Sequence, residues 1–82
     1  MTSNQLRSAV AKNIHNRRVE LGITQTALAA SVGVTSARIS QIESSVGAVP
    51  LDLLAKIAEA LGTTPAAVVD PSHFSRIPEK VA

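Results

Sequence analysis

The run from Gln25 to Ser44, QTALAASVGVTSARISQIES, constrains the fold of this chain more than any other segment. Leu28 and Val32 stand four apart, as one stripe of a short helix, and Ile39 and Ile42 stand three apart on a second. Gly33 falls between them, where a residue with positive φ ends a helix without steric penalty. Thr35 follows at the position where a hydroxyl caps the next helix. Ala29 sits where two steeply crossing helices need a small side chain. The spacing therefore predicts two short helices, about 25–32 and 36–44, folded across a tight turn. The outer face of the second, Thr35, Ser36, Ala37, Arg38, Ser40 and Gln41, is too polar to be a core.

The flanking sequence supplies the rest of an all-α domain. Thr2 with Gln5 three residues later reads as a capping box. Leu6, Val10 and Ile14 are the expected inward stripe of a first helix that ends at Leu21-Gly22. Thr24 caps the second helix. After the third, Ser45-Val46-Gly47-Ala48-Val49 reads as a loop, and Pro50 opens a fourth helix with Leu53, Leu54, Ile57, Ala58 and Leu61 on its buried face. Asp52 suits the positive end of that helix. Gly62 stops it, and Thr64-Pro65 starts a last short helix through Val68 and Val69. Asp70-Pro71 breaks the pattern, because the residue before a proline is pushed out of helical geometry. A domain over residues 1–70 and a tail over 71–82 follow from this punctuation.

Two short helices joined by a glycine turn, the second polar outside, are the layout of a helix-turn-helix. The residues Arg18, Leu21-Gly22-Ile23-Thr24-Gln25, Leu28-Ala29, Val32-Gly33-Val34, Ile39-Ser40-Gln41-Ile42-Glu43 and Leu54 to Gly62 fall in the matching order. The segment from about Ile14 to Val69 thus resembles the Cro/repressor (XRE) family of phage and bacterial DNA-binding proteins, over roughly two-thirds of the sequence. The resemblance implies a compact five-helix, lambda-repressor-like domain. It further implies a transcriptional regulator that represses from a pseudo-palindromic operator in double-stranded DNA as a homodimer. Two other readings stay open: an antitoxin that binds DNA together with a toxin partner, and a protein-interaction module on the same fold.

On that reading the outer face of the third helix is the DNA-reading surface. Gln41 can pair with adenine N6 and N7, Arg38 with guanine O6 and N7, and the Ala37 methyl can meet a thymine methyl. The resemblance puts Ser36, Ala37 and Gln41 at base-reading positions, while the Arg38 position also serves phosphate contacts. Gln25 opens the second helix, where outward N–H groups attract anions. In the family it contacts a phosphate, with Arg17, Thr24, Ser44, Ser45 and the backbone near Ser44 to Val46 as companions here. The loop after Glu43 lacks the basic residues common in the family, which lowers the expected non-specific affinity. Arg18 and Glu43 match a structural ion pair that links the first and third helices.

Charge and composition fit this class. Eight Lys and Arg stand against six Asp and Glu, a formal net charge of +2. Four bases (Arg7, Lys12, Arg17, Arg18) and no acid precede Val19, so the expected phosphate-facing charge lies on the first helix. The absence of cysteine excludes disulfides, thiolate metal sites and a cysteine nucleophile. His15 and His73 have no ligand or nucleophile at motif spacing, so neither catalysis, nor a metal, nor a cofactor is expected. The opening Met1-Thr2-Ser3-Asn4-Gln5 does not read as a signal peptide and no run is membrane-length, so a cytoplasmic protein is expected. Val68, Val69, Phe74 and Ile77, apolar beyond the core pattern, are the expected dimer seam. Phe74, the sole aromatic, lies in a tail that reads either as unstructured or as a short arm packing the ring on the domain or across that seam.

Overall fold

Threonine starts four of the five helices found in the computed structural model, which describes residues 2–70. They are α1 (Ser3–Glu20), α2 (Gln25–Val32), α3 (Ser36–Glu43), α4 (Leu51–Ala60) and α5 (Pro65–Val69), with no strand among the described residues. Thr2, Thr24, Thr35 and Thr64 each accept from the backbone N–H three residues on, at 3.0–3.2 Å. Each such cap stabilises its helix by about 1 kcal/mol. At Thr2 the bond is reciprocal, because Gln5 Oε1 accepts from the Thr2 N–H. The start of α4 has no side-chain cap, and Pro50 occupies that position. Gly33 ends α2 at φ 76°, and the Gly33 and Val34 N–H groups both close on the Ala29 carbonyl.

The core gathers residues from all five helices. Ile14, Leu28, Ile39, Ile57 and Leu61 are fully buried, and Val10, Ala29, Val32, Ile42, Leu54, Ala58 and Val68 pack around them. Burying a Leu or Ile side chain contributes about 1.5–3 kcal/mol, so these aliphatic side chains hold the five described helices together. Ala29, 2% exposed, lets α2 and α3 approach closely.

Two apolar residues differ from the sequence expectation. Leu6 is 41% exposed and does not join the inward stripe of α1. The core is already closed at that end by Val10 and Leu54, so Leu6 instead walls a groove of about 290 Å³ with Val10, Val49, Leu51, Leu54 and Val69. Val68 is 3% exposed, because α5 turns it onto α1 and the core. It is therefore unavailable to a dimer seam. Val69 is half-buried in the groove wall, while Phe74 and Ile77 lie outside the described residues.

Asn13 fixes α5 against α1. It is buried, and its Nδ2 donates to the carbonyls of Val68 (2.6 Å) and Asp70 (3.0 Å), with Ala67 O at 3.4 Å. A five-residue helix has few hydrogen bonds of its own, so this side chain satisfies carbonyls that would otherwise be orphaned.

Candidate nucleic-acid interface

The start of α2 and the outer face of α3 form one surface because a single carboxylate gathers the side chains beneath them. Glu43, the last residue of α3, has a side chain only 4% exposed. Arg18 of α1 grips it with two bonds, Nε to Oε2 at 2.7 Å and Nη2 to Oε1 at 3.0 Å. Arg18 Nη1 also donates to the Ile23 carbonyl at 2.7 Å, tying in the α1–α2 turn. Gln25 Nε2 donates to Glu43 Oε1 at 3.2 Å, and His15 Nδ1 lies 2.8 Å from the same oxygen. Burial pushes the Glu43 carboxyl upward, but the bonds from Arg18, His15 and Gln25 and the Arg18 charge outweigh it and hold the group below its ordinary value. The bond to Glu43 in turn raises the Arg18 guanidinium, against the opposing effect of burial.

Above this hub, Thr35, Ser36, Ala37, Ser40 and Gln41 are exposed, while Ile39 and Ile42 of the same helix are buried. Ser36 and Ala37 stand at the amino end of α3 and Gln41 one turn later. Arg38 is turned sideways. Its Nη2 donates to the Ala48 carbonyl at 3.0 Å, bracing the loop between α3 and α4. The Thr24 and Thr35 hydroxyls accept from backbone N–H groups as caps, and each keeps its own O–H to donate outward.

Several of the expected phosphate contacts are differently employed. Arg17 Nε donates to the Leu61 carbonyl at 2.9 Å and Nη1 reaches Glu20 at 3.4 Å, so its guanidinium closes the end of α4. With Arg18 on Glu43, two of the four bases that precede Val19 are tied to partners within the protein, Arg18 with its side chain 11% exposed and Arg17 with 37%. The backbone N–H groups of Ser44, Ser45 and Val46 all bond back to carbonyls of α3. Only the hydroxyls of Ser44 and Ser45 remain as donors there. Ser45 takes φ 64°, a left-handed conformation that lets Val46 N–H reach the Gln41 carbonyl at 2.9 Å.

Sequence reasoning missed the contacts that His15 and Gln25 make with Glu43. The signal for His15 was its position three residues before Arg18, which puts both on one face of α1. No group of His, Cys, Asp and Glu among the described residues could hold a metal, and no helix described is long and apolar enough to cross a membrane.

The fold that carries this surface is similar to that of known proteins. A helix-turn-helix family model matches residues 14–68. The clp gene regulator ClgR from Corynebacterium glutamicum superposes with a TM-score of 0.79 at 28% identity, over 93% of this chain and 81% of that one. The hypothetical transcription factor NHTF from Neisseria gives 0.79 at 27% identity, over 99% and 88%. Hydroxypropylphosphonic acid epoxidase from S. wedmorenis gives 0.79 at 27% identity, but the chain covers only 37% of that enzyme. A comparison with proteins of curated function finds no match. With the family model spanning most of the sequence and the five helices in place, the chain belongs to the XRE-type helix-turn-helix family of DNA-binding proteins.

Proposed function

We propose that the protein is a sequence-specific transcriptional repressor that reads a pseudo-palindromic operator as a homodimer. The observation that carries the reading is the exposed polar face of α3, held beside the N-terminus of α2 by the Glu43 hub. Ser36, Ala37 and Gln41 are the base readers, with Thr35 and Ser40 flanking them. Gln25, Thr24 and the hydroxyls of Ser44 and Ser45 meet phosphates. Arg38, braced on Ala48, has to leave that carbonyl to reach a base, so it serves the backbone side of the interface. Resemblance over most of both chains to the gene regulator ClgR and the hypothetical transcription factor NHTF supports regulation over catalysis.

A single α3 spans only a few base pairs, and a two-fold partner multiplies both contact and specificity. Half-site centres then lie about one helical turn apart, near 34 Å. Selection of bound sequences from a random DNA library, with sedimentation of the free protein and its complex, tests the reading. A paired, inverted motif bound by two chains is the expected result. Enrichment of no motif overturns base reading, and tight protection of one unpaired half-site by a single chain overturns the dimer.

A further inference from the structure

The groove walled by Leu6, Val10, Val49, Leu51, Leu54 and Val69 has no part in the DNA-facing surface. Leu51 is 81% exposed and Leu6 41%, so two large aliphatic side chains face one depression whose floor, Val10 and Leu54, is already core. Apolar surface gathered in one concavity is a binding surface, unlike the same residues scattered singly.

We propose that the occupant is the chain's own segment after Asp70, with the Phe74 ring seated between Leu6, Leu51 and Val69. Three observations select this occupant. Val69, the last residue of α5, is itself part of the groove wall, so the backbone leaves the described structure at the groove edge. That exit is fixed: Asn13 bonds the carbonyls of Val68 and Asp70, and Asp70 is extended (φ −72°, ψ 113°). Phe74 stands four residues beyond Asp70, and four residues reach at most about 14 Å. It is also the only aromatic residue of the sequence, with Ile77 three positions on. Because the segment is covalently joined beside its seat, its effective concentration is of millimolar order, ahead of a second copy at ordinary protein concentrations. Ala48 lines the same groove while its carbonyl holds Arg38 of α3, so the seated segment also abuts the loop that follows the DNA-facing helix.

The composition offers a direct test, because no Trp or Tyr competes with Phe74 as a source of ring-current shifts. His15 lies in a separate cavity with Lys12, Asn16 and Glu43. In methyl-labelled full chain, the Leu6, Leu51 and Val69 methyls are expected upfield of their ordinary positions. The shifts should not change on dilution and should be lost in Phe74→Leu, which keeps the apolar bulk and removes the ring. Methyl positions identical in the parent and Phe74→Leu overturn the proposal. So does an upfield shift that reappears when labelled Phe74→Leu is co-refolded with unlabelled parent chain, since the ring then comes from a second copy.

Discussion

Gln25 Nε2 donates to Glu43 Oε1 at 3.2 Å, so the residue that opens α2 is anchored to the residue that ends α3. One amide hydrogen holds the side chain in place, and the second remains for a phosphate oxygen. Gln25→Ala should therefore weaken binding to operator and random DNA by the same factor, about 1–2 kcal/mol. The salt dependence of affinity should not change, because no charge is removed. Titrations at several salt concentrations check both parts.

The Arg18–Glu43 pair should respond asymmetrically to single and double replacement. Arg18→Met or Glu43→Leu alone leaves a desolvated charge and should destabilise the fold by about 3–5 kcal/mol. The double variant should lose much less than the sum of the two. Denaturant melts of the three proteins measure the coupling, and purely additive losses would mean that the two groups do not support each other.

Acid should unfold the protein partly through the same carboxylate. Glu43 titrates below its ordinary value of 4.5 when folded. Its contribution is therefore fully present above that value and is lost as the pH falls below it, through the lowered folded-state value. Melts compared between about pH 6 and pH 3 should show a decline that is shallower in Glu43→Gln. An equally steep decline in the variant would place the acid sensitivity elsewhere.

Ser45 occupies a left-handed conformation at φ 64°, which costs a residue with a Cβ about 1 kcal/mol. Ser45→Gly should raise stability by about 0.5–1 kcal/mol, net of the looser unfolded chain. Because the variant also loses the phosphate-facing hydroxyl, it should bind DNA less tightly while melting higher. Thermal melts and binding titrations separate the two effects.

Gln41→Ala should weaken operator binding by about 1–3 kcal/mol and relax the preference at one base pair per half-site. The stability of the free protein should not move, since this side chain is exposed. Unchanged discrimination between operator and random sequence would remove Gln41 from the reading face.

The helices and their order were legible because each boundary has a local cause. Four threonine caps, the glycine after α2 and the Thr64-Pro65 start all act within a few residues of where they stand. What was not legible depends on contacts between distant segments. Arg17 and Arg18 read alike as adjacent bases, yet one closes α4 and the other grips Glu43. Asn13 gave no pattern at all, since its partners lie 54–57 residues away. Leu6 kept the helical spacing of Val10 and Ile14, but periodicity gives the direction of a side chain and not where the core ends. The spare donors of the loop were equally hidden, because the left-handed turn at Ser45 decides which N–H groups are used.

Within α3 the inward and outward residues are independent of one another. Ile39, Ile42 and Glu43 hold the helix in place, whereas Ser36, Ala37, Ser40 and Gln41 project outward. Exchanging those four side chains should redirect the protein to a different DNA sequence without asking the scaffold to adjust. The fold thus behaves as a holder with a replaceable tip, and divergence in target preference can proceed through a handful of codons while stability is inherited unchanged.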